Sequence, residues 1–81
     1  MNIYVGNLPF RMSDQDLTEL FAEYGEVVSA RIIKDRETGR SKGFGFVEMD
    51  DDNLANEAIS SLDGAAVQGR NIRVNEARPR D

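Results

Sequence analysis

An α+β sandwich, in which a four-stranded antiparallel sheet carries two helices on one face, is the fold the sequence predicts. Three observations predict it. Four short β-rich runs alternate apolar and polar residues with the two-residue period of a half-buried strand. Two stretches carry apolar residues at i, i+3, i+4 and i+7, the stripe of an amphipathic helix. These elements follow one another in the order β-α-β-β-α-β. Two stripes of similar width need one sheet face to cover, and this order supplies it. The 81 residues suffice for one modest core, so 1–81 is expected to be a single domain.

The first strand is NIYVGN, with Ile3 and Val5 on one face and Tyr4 and Gly6 on the other. Pro9 ends it, having no N–H to give a ladder. Ser13 is placed to cap a helix over DQDLTELFAEYG, whose stripe is Leu17, Leu20, Phe21 and Tyr24. Asp14 and Asp16 suit its positive N-terminal end, and Gly25 suits the C′ position beyond it. The second strand, EVVSARIIKD, sets Val28, Ala30 and Ile32 on one face and Ser29, Arg31 and Ile33 on the other. The polar loop RETGRSK turns at Gly39, and KGFGFVEM is the third strand. Asp51 or Asp52 caps a second helix with the stripe Ala55, Ala58, Ile59 and Leu62, which ends at Asp63 and Gly64. AAVQG is a short extended or hairpin piece. RNIRVNEA is the last strand, with Ile72 and Val74 inward and Arg73 and Asn75 outward. The arrangement is the ferredoxin-like plan.

The third strand raises the functional question. Phe44 and Phe46 share a face because strand side chains repeat every second residue. Were that face inside, Glu48 would be buried with it, at a high cost in desolvation. With both helices on the other face, the open side takes Tyr4, Arg31, Ile33, Phe44, Phe46, Glu48, Arg73 and Asn75. Three large rings facing water on neighbouring strands mark a binding surface. Flat π-faces at strand spacing suit nucleobases, each stacked base contributing about 1–3 kcal/mol. Neighbouring cations suit the phosphates between them. Gly6, Gly43 and Gly45 are read as removing bulk where rings and ligand approach the backbone. The competing reading is that another segment or a partner protein covers the patch.

Composition narrows the chemistry. With no cysteine and no histidine, disulfides, thiolate metal sites and the usual catalytic base are excluded. No metal and no cofactor are expected, and no enzymatic activity. No apolar run approaches the ~20 residues of a membrane span, so the chain is expected to be soluble and cytoplasmic, with no membrane partner. The net charge is −5, from 15 acidic and 10 basic residues, but the signs are segregated. Asp14, Asp16, Glu19, Glu23 and Glu26 lie in or just after the first helix, and Glu48, Asp50, Asp51, Asp52, Glu57 and Asp63 in or around the second. No Lys or Arg falls within either. A basic footprint can therefore survive inside an acidic total.

IYVGNL (Ile3 to Leu8) and KGFGFVEM (Lys42 to Met49) resemble the hexapeptide and octapeptide of the RNA recognition motif family. The resemblance covers nearly the whole chain, through DRETGRSKGFGFVEM and the closing VNEARPR. It is similar to the small one-domain bacterial members and to the motif of the glycine-rich RNA-binding proteins. The octapeptide pattern of basic, Gly, aromatic, small, aromatic, aliphatic, any, aromatic is met everywhere but at the last position. There Met49 replaces an aromatic, on the core side by parity. The resemblance implies that Tyr4 and Phe44 stack under successive bases, that Phe46 packs on the sugars between them, and that Lys42 pairs with a phosphate. Arg31, Ile33, Arg73 and Asn75 would edge the platform. Glu76, Ala77 and Arg78 would offer backbone groups to base edges. Asn7 either fixes the strand-to-helix loop or contacts a base. Arg36 and Arg40 either grip the RNA backbone or are solvated loop charges. The implied ligand is single-stranded RNA, about two to four nucleotides on the sheet, with single-stranded DNA as a second candidate. RNA chaperoning or post-transcriptional control is the implied work.

Other readings fit less well. The fold plan also hosts acylphosphatase-type chemistry, but NLPFRMS lacks a glycine-rich phosphate cradle. GFGF lies in a strand and has no third glycine, so it is no dinucleotide fingerprint. DDDN has Ala55 where a calcium loop needs glycine. A protein-interaction module is the serious rival, in which Asp16, Glu19 and Glu23 present the acidic helices to a basic partner.

Overall fold

Alternation and stripe are both realised in the computed structural model, which describes residues 1–77. The elements are β1 (Asn2–Gly6), α1 (Asp14–Ala22), β2 (Val27–Lys34), β3 (Ser41–Met49), α2 (Asp52–Leu62), β4 (Ala66–Val67), β5 (Arg70–Asn71) and β6 (Arg73–Glu76). One sheet has the order β2-β3-β1-β6, with every neighbouring pair antiparallel. The two strands with the aromatic motifs are therefore central. Two helices and this four-stranded sheet make the ferredoxin-like sandwich.

The core forms where the two periodicities meet. Ile3, Val5, Ile32, Val47, Met49 and Val74 come from the sheet, Leu17 and Phe21 from α1, and Ala55, Ala58 and Leu62 from α2; all are buried. Phe21 is the largest of the fully enclosed side chains, and burying a side chain of that size contributes roughly 1.5–3 kcal/mol. Leu8, Met12 and Ile72 complete the cluster from the connections. No polar or charged side chain is buried among the described residues.

Local chemistry explains the helix starts. Ser13 Oγ accepts the Asp16 N–H at 3.1 Å, and Asp16 Oδ2 accepts the Ser13 N–H at 3.1 Å, a reciprocal capping box. Asp51, rather than Asp52, caps α2 by accepting the Leu54 N–H at 3.0 Å. Each helix also sends a carboxylate to a sheet edge. Asp14 Oδ1 accepts the N–H of Ile32 in β2 at 2.8 Å, and Asp63 Oδ1 accepts the N–H of Val74 in β6 at 3.0 Å.

Three expectations need correction. Val28 is not on the core face but half exposed, at 51 %. Val27 and Ser29 pair with the consecutive residues Met49 and Glu48, so Val28 is the extra residue of a bulge and Val27 takes the inward place. Gly25 is not the C′ residue. The cap is Glu23 in right-handed helical geometry, and Gly25 instead lets α2 approach, since a Cβ there would stand 2.7 Å from Leu54 Cδ1. The last strand is not continuous either. Arg70 and Asn71 pair back onto Ala66 and Val67 in a separate hairpin, and the sheet strand begins at Arg73. The two central residues of that hairpin, Gln68 and Gly69, have φ of 49° and 85°, the left-handed pair a tight two-residue turn requires.

Candidate nucleic-acid interface

Strand register builds the open face. Across the sheet, Arg31 pairs with Phe46, Phe46 with Tyr4, and Tyr4 with Asn75, so one transverse row carries all four side chains. Arg73 lies opposite Gly6 at the next outward position of β6, and Phe44 two residues before Phe46. The three rings form a closed triangle. Their centroids are 6.1 Å apart for Tyr4 and Phe44, 5.9 Å for Tyr4 and Phe46, and 6.2 Å for Phe44 and Phe46. Tyr4 and Phe44 are half-buried by one another and their neighbours, whereas Phe46 is 40 % exposed.

Two glycines shape this surface differently. A Cβ on Gly6 would lie 2.6 Å from the Tyr4 hydroxyl and 2.9 Å from its ring, so the Tyr4 ring lies over the glycine backbone. Gly45, expected from the sequence to clear space for rings, does not do so. Its Cβ would run into the Arg31 carbonyl oxygen of β2, and the residue serves the close approach of two strands.

Among the described residues, none of the flanking cations forms an ion pair. The sole ion pair among those residues joins the Met1 amino group to Asp52, 3.7 Å apart. Arg31, Lys42 and Arg73 are exposed at the rim, and Ile33 is half-buried beside Arg31. Glu76 is exposed at the end of β6 and Ala77 follows it, its N–H donating to the Asn2 carbonyl at 2.9 Å. Arg78 lies outside the described residues.

Asn7 is committed to the loop. Its φ is 55°, a left-handed conformation that asparagine tolerates better than most residues. Its Nδ2 donates to the Asn71 carbonyl at 2.7 Å and its Oδ1 accepts from Arg70 at 2.7 Å. Asp35 organises the β2–β3 loop that holds Arg36 and Arg40. Its Oδ1 accepts the N–H groups of Glu37 at 2.7 Å and Thr38 at 3.3 Å. These bonds, the Glu37 one foremost and with Lys42 adding a positive charge, hold the carboxyl below its ordinary 3.8. Arg40 lines a groove with Phe10, Arg11 and Lys34, and Arg36 does not.

Phe10 and Arg70 belong near this surface and were not foreseen. Leu8 N–H donates to the Gly43 carbonyl at 2.8 Å, which draws the β1–α1 connection onto the start of β3 and sets Phe10 against Gly43, in a depression it shares with Phe44. The available signal was that Phe10 fits neither the parity of β1 nor the stripe of α1, leaving an aromatic with no place in the core.

A family model described as RNA recognition motif matches residues 3–73. The putative RNA-binding protein RbpA of Synechocystis is 53 % identical over 81 residues, covering 100 % of this chain and 80 % of that protein. The 28 kDa chloroplastic ribonucleoprotein of Spinacia oleracea is 55 % identical over 80 residues, covering 96 % of this chain and 34 % of that one, so the chain spans about a third of that relative's length. A solved complex of Sex-lethal protein with RNA superposes with a TM-score of 0.92 at 35 % identity, covering 99 % of this chain and 48 % of that one.

Proposed function

Because the chain belongs to the RNA recognition motif family, we propose that it binds short single-stranded RNA on the open face of its sheet. The observation that carries this reading is the row Arg31, Phe46, Tyr4, Asn75 with Phe44 beside it: three braced rings rimmed by cations that form no ion pair among the described residues. Bases stack on Tyr4 and Phe44, sugars pack on Phe46, and Lys42, Arg31 and Arg73 meet phosphates. Glu76 and Ala77 present backbone groups to base edges, and Arg78 is proposed to do the same. The relatives' names, RNA-binding protein and ribonucleoprotein, support the same ligand. Single-stranded DNA is a second ligand of the same platform.

The role is one of binding rather than catalysis, as an RNA chaperone or post-transcriptional regulator. The cytoplasm is the proposed setting, with a plastid compartment the counterpart for the chloroplastic relative. Among the described residues no helix is long and apolar enough to cross a membrane. A protein partner on the acidic helices is a second reading, favoured by a shallow depression where Glu19 and Glu23 flank Leu20 and Val67.

The test is an NMR titration with a random-sequence RNA pool, then with matched DNA, at two salt concentrations. Shifts should cluster at Tyr4, Phe44 and Phe46, and log affinity should fall with log salt by about 0.7 per phosphate contact. No shift on the sheet at millimolar RNA sinks the reading and directs the search to the acidic helices.

A further inference from the structure

Phe10 is 65 % exposed, the highest value among the exposed large apolar side chains, yet it is held in place. The Arg70 guanidinium carbon stands 5.7 Å from its ring centre, and Arg70 is itself fixed by its 2.7 Å bond to Asn7. On one side of this pair is a depression it shares with Tyr4, Phe44 and Lys42. Phe10, without Arg70, also lines the groove of Arg11, Lys34 and Arg40, with Ser13 and Ser41. The lining of neither contains an Asp or Glu among the described residues, although acids outnumber bases 15 to 10 in the chain.

We infer that Phe10 and Arg70 form a second stacking platform, off the sheet, that takes one further base of the same RNA strand, and that Arg11, Lys34 and Arg40 take the phosphates beyond it. The inference rests on the sheet reading above and extends it. A flat ring with a cation braced against it offers both contacts an unpaired nucleotide needs, a π-face and a donor for phosphate. The first depression is continuous with the Tyr4 and Phe44 rings, so a strand leaving the sheet there meets Phe10 next. An apolar protein partner would find an isolated ring between two cationic hollows, a poor match for burial.

The experiment compares random-sequence RNA trimers with octamers by fluorescence anisotropy, using the wild-type chain, Phe10→Ala, Phe10→Leu, Arg40→Gln and Phe46→Ala, each checked for a dispersed amide NMR spectrum. Phe10→Ala should leave trimer affinity unchanged and lower octamer affinity about five-fold or more. Phe10→Leu, which keeps the apolar bulk but loses the π-face, should lose most of the same increment. Arg40→Gln should lower the octamer's salt slope by about 0.7 and leave the trimer's alone. Equal octamer affinities for wild type and Phe10→Ala, with Phe46→Ala impaired at both lengths, overturn the second platform and spare the sheet. Folded Phe10→Ala that loses trimer as well as octamer binding overturns its separateness from the sheet. A wild-type chain that binds neither length overturns the sheet reading and this inference with it.

Discussion

Tyr4 and Phe46 are direct cross-strand partners in β1 and β3, their ring centroids 5.9 Å apart and their planes at 64°. Such edge-on pairs contribute about 0.5–1.5 kcal/mol beyond the area they bury. The rings are therefore braced by one another before any ligand arrives, so that bases stacking on them as proposed would cost little ordering entropy.

Phe46→Ala, which removes a sugar-packing ring rather than a base-stacking one, should weaken RNA binding by about 1 kcal/mol, the low end of the stacking range, while the fold survives, since the ring is 40 % exposed. Anisotropy and a thermal melt read the two effects separately. Unfolding of the variant would assign Phe46 to the core instead.

Two Gly→Ala substitutions should part ways. At Gly6 the new methyl meets the far end of the Tyr4 side chain, which can swing aside; affinity should fall towards that of Tyr4→Ala with little loss of stability. At Gly45 it meets the β2 backbone at Arg31 and Ile32, which cannot swing, and overpacking of this kind costs about 1–3 kcal/mol. Chemical denaturation of both variants decides, and equal stability losses would contradict the assignment.

Asp14→Ala removes the acceptor of the Ile32 N–H on an edge strand of the sheet. Leaving a part-buried donor unmatched costs about 1–3 kcal/mol, and Asp14→Asn, which keeps an oxygen there, should recover part of it. A urea midpoint unmoved by Asp14→Ala would show that water replaces the carboxylate.

The Asp35 carboxyl titrates below its ordinary 3.8 because the folded loop donates two N–H groups to the ionised form. A depressed folded value favours the fold above the unfolded pKa, and the advantage disappears as pH falls from 3.8 through the lower folded value. The β2–β3 loop should therefore hold at neutral pH and loosen only in strong acid. An NMR midpoint for Asp35 at or above 3.8 would refute this.

How much of this was legible depended on what each residue's position is set by. The outward placement of Phe44 and Phe46 follows from parity in a single run, and the burial of Leu17 and Phe21 from a 3.6-residue period; both are local. Ser13 and Asp16 announce their helix start in the same way. Val28 was misplaced because a bulge shifts parity by one residue and depends on pairing between two strands. Gly25 was misread because the reason for its lack of a side chain, Leu54, lies on a different helix. Arg70 gained its place from a hairpin turn and a side chain 63 positions away in sequence, which no window along the chain brings together. On the open face, the sheet residues were thus readable from sequence, and the loop residues beside it were not.

The molecule is 19 Å across its shortest dimension, with acidic helices on one side and cation-rimmed rings on the other. At 0.1 M ionic strength the Debye length is about 10 Å, so a polyanion at the rings is screened from the far side. At 0.01 M it reaches about 30 Å, more than the thickness of the domain, and the incoming strand feels the whole −5 charge. Attraction at the near face then works against repulsion from the far one. Adding salt from that low limit first relieves the repulsion and only later competes for the phosphate contacts. For RNA bound at the rings as proposed, the two-sided layout predicts an ionic-strength optimum where the screening distance falls below the depth of the protein, with affinity falling with salt above it.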